Sequence, residues 1–235
     1  VVIPRANGET EIIVEFAAQR LTVPVRVVDM EREPSRTAFE SEVLVALSKQ
    51  GCNSGACHGS PSGKGMFRMS LRGFDRELDE LTLTREDFGR RVNPLEPEQS
   101  LLLLKPLMQV AHGGGKQLHP DDAAYAILRD WIAEGARVDP PNTPRCIRLE
   151  VFPHEKRVLR LDDGMQQLAA IAQFSDGSSR DVTHLVAYES SHPAIATVDK
   201  SGLVTPLKGG GTAVSMRYLE HIESVTLMFT QDGEG

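Results

Sequence analysis

The stretch Cys52-Asn53-Ser54-Gly55-Ala56-Cys57-His58 constrains this chain more than any other. Two thiols, with an imidazole directly after the second, are what covalent haem attachment needs. Each thiol adds its S–H across one porphyrin vinyl group, and the histidine binds iron from the side where the macrocycle is anchored. The usual spacing leaves two residues between the cysteines; here there are four, and Asn53, Ser54 and Gly55 suit an outward bulge. Zinc is the main rival, using Cys52, Cys57, His58 and one further ligand. A tetrahedral site normally takes a second ligand pair at short spacing, and the sequence offers none. A redox disulfide leaves His58 unexplained, and a purely structural role for the motif stays open beside these.

Composition narrows the setting. The chain of 235 residues carries 26 Lys plus Arg against 33 Asp plus Glu, a net charge of −7. Nucleic-acid binding needs clustered positive charge, so that balance argues against such a partner. No apolar stretch reaches the roughly 18 residues of a membrane-spanning helix. The opening Val1-Val2-Ile3-Pro4 reads as a strand without a start Met, leader or lipidation motif, so the chain is expected to be a piece of a longer polypeptide. Two breaker clusters, Glu31 to Pro34 and Asp139 to Pro144, read as linkers. They divide the chain into residues 1–30, 31–145 and 146–235. Three cysteines make a poor disulfide framework. Cys146 therefore reads as an unpaired, partly buried thiol at a domain junction.

Residues 146–235 read as all-β. Ile147-Arg148-Leu149-Glu150-Val151 alternates apolar and polar, the period of a half-buried strand. Further strands are expected at Gln167 to Phe174, Ala194 to Val198, Leu203 to Thr205, Thr212 to Tyr218 and Ser224 to Phe229. Turn-forming runs separate them, which favours a β-sandwich. His154, His184, His192 and His221 read as surface or turn residues there. Sliding Val1–Val27 onto Leu203–Phe229 without gaps pairs Val2 with Val204, Pro4 with Pro206, Gly8 with Gly210, Thr10 with Thr212 and Val23 with Val225. Apolar residues share the register: Ile12 with Val214, Phe16 with Tyr218, Val25 with Leu227 and Val27 with Phe229. Such a repeat makes residues 1–30 the closing strands of a second sandwich whose beginning is missing. The wording Gln173-Phe174-Ser175-Asp176-Gly177-Ser178, Arg180-Asp181-Val182-Thr183, Ile195-Ala196-Thr197-Val198-Asp199 and Gly202-Leu203-Val204-Thr205 resembles the bacterial immunoglobulin-like domains of group 2. That resemblance implies a spacer or adhesive module on an extracytoplasmic protein.

The middle segment supplies the helices a haem pocket needs. Phe39, Val43, Leu44 and Leu47 have helical spacing between Ala38 and Gln50, with Gly51 at the end. Ala124, Ile127, Leu128, Trp131 and Ile132 give a second helical face between Asp121 and Glu134, where Trp131 is expected to press the two helices together. Phe67, Met69 and Leu71 alternate with Arg68, Ser70 and Arg72, predicting a strand with one buried face, and Met66 reads as packing. Arg68, Arg72, Arg90 and Arg91 are the candidates for haem propionate contacts, ahead of Lys64 and Lys105, against the default of a solvated basic face. The loop before the last helix offers Met108, His112 and His119 as sixth iron ligand. His112 is preferred because Gly113-Gly114-Gly115 follows it and lets the backbone turn tightly.

The runs Gly51 to Gly59, Gly63-Lys64-Gly65-Met66-Phe67-Arg68-Met69-Ser70-Leu71-Arg72-Gly73-Phe74-Asp75 and Gly89-Arg90-Arg91-Val92 resemble the planctomycete-type c-type cytochrome domain. So do Pro97 to Lys105, His112-Gly113-Gly114 and Trp131 to Ala136, and the four-residue gap between the cysteines is part of the likeness. The resemblance spans residues 39–136 and places a His followed by glycines where other cytochromes use Met. It implies one covalent haem c and export of the chain beside immunoglobulin-like modules. The expectation is therefore a mostly α cytochrome c-like haem domain plus an all-β immunoglobulin-like sandwich, with an N-terminal fragment of a second β-sandwich. The function expected is electron transfer with an unidentified redox protein as donor or acceptor, in the periplasm or at the cell surface. A haem enzyme or sensor with an open distal site, and a structural or adhesive protein with a non-essential haem, are the alternatives.

Overall fold

A computed structural model describes residues 5–28 and 36–231. Val1 to Pro4 and the first breaker cluster, Glu31 to Pro34, lie outside the described residues. The chain divides into two units, Val1–Arg36 and Thr37–Gly235.

The first unit is a hairpin of β1 (Gly8–Phe16) and β2 (Gln19–Val27). The strands pair antiparallel from Gly8↔Val27 to Phe16↔Gln19. The second unit repeats that register in its last two strands, from Gly210↔Phe229 to Tyr218↔His221. The first loop residue lies in the left-handed region in both copies, Ala17 at φ 53° and Leu219 at φ 54°. Burial differs sharply: Tyr218 is 1% exposed while its counterpart Phe16 is 80% exposed.

The second unit begins with helices. A wide π-type turn over Phe39–Leu44 runs into α1 (Val45–Lys49), and α2 (Arg76–Thr84), α3 (Leu101–Leu104) and α4 (Ala123–Ala133) follow. Phe39, Leu44, Leu47, Leu103, Leu128, Trp131 and Ile132 form the centre of their core. Trp131 stacks on Phe39 at 5.6 Å between ring centres and donates its indole N–H to the Arg137 carbonyl at 2.7 Å. It thereby joins the first and last helices, as its spacing predicts. No strand forms over 67–71. Met69 is buried, but Ser70 is buried beside it and Leu71 is exposed. Ser70 turns inward because the buried Asp79 carboxylate accepts both its N–H and its hydroxyl at 2.6 Å.

The β part comprises β3 (Cys146–Phe152), β4 (Arg157–Arg160), β5 (Gln166–Gln167), β6 (Ala169–Phe174), β7 (Ser179–Asp181), β8 (Ala187–Ser190), β9 (Ala196–Val198), β10 (Leu203–Pro206), β11 (Gly210–Tyr218) and β12 (His221–Thr230). The sheet β4-β12-β11-β8 and the sheet β3-β6-β7 each bury one face, with β5-β10-β9 as a third, smaller sheet. Alternation does this: Thr212, Val214, Met216 and Tyr218 point in from β11, and Ala170, Ala172 and Phe174 from β6.

Helices and sandwich meet along α1. Val45 belongs to the sandwich core, and the buried Tyr218 hydroxyl donates to the Ser41 carbonyl at 2.7 Å. Lys49 donates to the carbonyls of Val186 at 3.0 Å and Lys200 at 2.7 Å, and Lys200 donates to the Gln50 side chain at 2.7 Å. The breaker cluster after Arg137 is tied down as well. The Asp139 carboxylate accepts from the backbone N–H groups of Phe39 and Glu40 at 2.7 and 2.8 Å, satisfying orphan donors at the helix start.

Candidate functional site

Helix α1 stops at Gly51, whose φ of 75° only glycine takes without strain, and the Cys52 N–H closes the end by donating to the Leu47 carbonyl at 2.9 Å. The chain then winds on itself. Cys57 N–H donates to Ser54, and His58 N–H donates back to the Cys52 carbonyl at 2.9 Å. Asn53 does not bulge outward as expected. It is 1% exposed, donates its side-chain amide to the Ser48 hydroxyl at 2.8 Å, and its carbonyl accepts from Arg72 N–H at 3.1 Å. The extra length projects at Gly55 and Ala56, which are exposed. Gly59 must be bare because the Asn53 carbonyl occupies the place of its Cβ.

The two cysteines and His58 line one cavity of about 350 Å³, and His112 lines it too. Its walls include Leu47, Phe67, Leu101, Leu102, Leu118 and Leu128. The His58 Nδ1 stands 2.9 Å from the Phe67 carbonyl and the His112 Nδ1 2.7 Å from the Gly115 carbonyl. A carbonyl only accepts, so Nδ1–H donates in both rings, and in the neutral imidazole the lone pair is left on Nε2. The two ring centres are 6.3 Å apart, with planes 22° from parallel. Burial lowers the His58 pKa below its ordinary value, with help from His112, and so favours the neutral form that binds metal. Burial pushes the Cys52 thiol up to about 12, so it stays protonated at neutral pH.

The other expected site residues separate. Arg90 lines the cavity; Arg68 and Arg72 are exposed and do not line it. Arg91 lines it but is 7% exposed, its guanidinium committed to the Thr82 and Glu86 carbonyls, to Asp87 and to the face of Phe67. Lys64 and Lys105, which the sequence ranked below the arginines, stand on the cavity wall. Met66 is not packed: it sits at φ 59° beside the cavity and is 89% exposed. Of the three candidate sixth ligands only His112 lines the cavity. Met108 is exposed at φ 61°, and His119 is exposed at the entry to α4, its N–H donating to Asp122. Cys146 is buried in the sandwich core.

These residues fit a covalently attached tetrapyrrole. Metal–nitrogen bonds of about 2.0–2.1 Å on two sides of one ion put imidazole centres roughly 6 Å apart, which matches the 6.3 Å found. Among the described residues no three His, Cys, Asp or Glu side chains gather closely enough to hold a metal ion by themselves.

Comparison with known proteins bears on the other half of the chain. Residues 185–216 match the family described as intimin, immunoglobulin-like domain. That stretch lies within the sandwich, from just before β8 into β11. The S-layer protein rSbsC(31-844) is similar at 20% identity with a TM-score of 0.30, over 37% of this chain and 15% of that one. Surface layer protein SbsC, domains 1-6, is similar at 18% identity and the same TM-score of 0.30, again over 37% of this chain. The chain thus spans about 15% of the length of either structure. No curated protein matches it. Among the described residues no helix is long and apolar enough to cross a membrane.

Proposed function

We propose that the helical part is a monohaem c-type cytochrome module of the planctomycete type, which carries electrons within a larger exported protein. One haem c is attached through Cys52 and Cys57, with His58 and His112 as its two axial ligands. The observation that carries this reading is the pair of imidazoles, each tied back through Nδ1 to a carbonyl, whose centres stand 6.3 Å apart in the cavity both cysteines line. The haem, when bound, supplies reversible one-electron exchange between ferric and ferrous iron. The protein's part is to present both Nε2 atoms, exclude water with leucines and Phe67, and offer Arg90, Lys64 and Lys105 to the propionates. Two imidazoles lack the thioether acceptor of Met/His sites, so the reduction potential is lower than in those.

Thioether attachment takes place outside the cytoplasm, which puts the protein in the periplasm or at the cell surface, and the intimin-type sandwich agrees with that. The hairpin Gly8–Val27 is read as the closing strand pair of a second such sandwich. Expression in hosts with and without cytochrome c maturation tests the function. Haem should stay with the polypeptide through denaturing electrophoresis only in the maturing host; haem attached equally in both, or in neither, contradicts the proposal.

A further inference from the structure

The three glycines after His112 are not equivalent. Gly115 has a φ of 72°, and its carbonyl is the acceptor for His112 Nδ1. Its reason for being glycine is its backbone conformation. A Cβ on Gly113 would meet nothing closer than the Lys64 Cε at 3.9 Å, an ordinary contact with the movable end of a side chain. A Cβ on Gly114 would instead lie 2.9 Å from His112 Cε1, 3.3 Å from Nε2 and 3.5 Å from Nδ1. Gly114 is not among the residues at positive φ, so its backbone accepts any L residue. The three atoms a side chain there would meet first all belong to the imidazole.

We propose that Gly114 is a positioning residue for the distal imidazole. Bare backbone at 114 is the slot into which the His112 ring fits, and any side chain there drives Cε1 and Nε2 out of line with His58. The carbonyl of Gly115 holds one edge of the ring at 2.7 Å, so the ring cannot swing away from a Cβ without breaking that hydrogen bond. The claim rests on the reading that His112 is an iron ligand, and it adds a residue that acts through His112.

The test compares Gly114→Ala with Gly113→Ala in the haem-loaded protein. Gly113→Ala should keep the low-spin ferric spectrum of the parent. Gly114→Ala should lose it, gain high-spin absorption, and bind carbon monoxide in the ferrous form about tenfold faster or more, the factor that corresponds to about 1.4 kcal/mol of lost ligation. Added free imidazole should restore the low-spin bands by filling the sixth position that His112 has left. A double-mutant cycle in the intact protein, read by urea denaturation, gives a readout independent of the spectrum: Gly114→Ala should destabilise the parent and be nearly neutral in a His112→Ala background, where the close imidazole contacts are gone. Identical spectra for the two alanine variants, or an equal stability cost in both backgrounds, overturns the proposal. A parent without a two-imidazole spectrum overturns the function on which it rests, while the cycle still reports whether the contact exists.

Discussion

His58 and His112 face one cavity from two separate loops, and their ring centres lie 6.3 Å apart. Each ring is fixed by a hydrogen bond from Nδ1 to a backbone carbonyl, so neither depends on the other for its tautomer. Removing one should leave the other in place.

His112→Ala should therefore give a high-spin or water-ligated ferric haem while both thioether bonds persist. Met108→Leu and His119→Ala should leave the low-spin spectrum unchanged, since neither residue lines the cavity. Absorption spectra of the three variants decide this. A low-spin spectrum surviving in His112→Ala assigns the sixth ligand elsewhere.

Asp79 supports the proximal side from a distance. Its carboxylate holds Ser70, and this segment carries the Phe67 carbonyl that orients His58 and the Met69 N–H that donates to the His58 carbonyl at 2.8 Å. Asp79→Ala strips two donors of their partner in a buried place and should cost about 3 kcal/mol. Urea denaturation measures it, and a loss below about 1 kcal/mol would show that Ser70 finds another partner.

Lys49 makes the contact between helix and sandwich pH-dependent. Burial, then the neighbouring Lys200 ammonium, lowers its pKa to about 8 from 10.5. Below pH 8 both folded and unfolded chains hold the proton. Between pH 8 and 10.5 only the unfolded chain holds it, so stability rises with pH across that window. The stability of the parent relative to Lys49→Met should be flat below pH 8 and climb above it. A difference that falls over the same range contradicts the assignment.

Cys146 lies in the sandwich core with its thiol 3.5 Å from the Arg148 carbonyl, and it does not line the cavity that His58 and His112 share. Cys146→Ser should leave the haem spectrum unchanged. A marked spectral shift would place this thiol on iron.

Much of the site could be read from local sequence, because its chemistry is concentrated in two short runs. Cys52 to Gly59 and His112 to Gly115 carry Cys52, Cys57, His58 and His112, the four side chains that meet at one cavity. What stayed hidden depends on partners far along the chain. Arg91 looks like a free cation in sequence; the Glu86 and Asp87 carboxylates that neutralise it, and the Thr82 carbonyl that accepts from it, converge only when α2 and the turn after it have folded. The alternation at 67–71 mimics a strand because periodicity cannot see that Asp79 buries Ser70. The breaker cluster at 139–144 reads as a linker, yet Asp139 caps a helix a hundred residues earlier. In the sandwich, the long strands β11 and β12 were legible from alternation and the short β9 and β10 from apolar residues on either side of a turn, whereas β4, β7 and β8, equally short, were not expected.

The visible absorption spectrum of the intact protein purified from a cytochrome-maturing host, with its alkaline pyridine haemochrome, tests the central claim most directly. The expected result is a haemochrome of the type given by two thioether bonds, a low-spin ferric spectrum, and no sulfur-to-iron charge-transfer band. A protein that keeps no haem after denaturation, or one that shows the charge-transfer band of a methionine ligand, would contradict it.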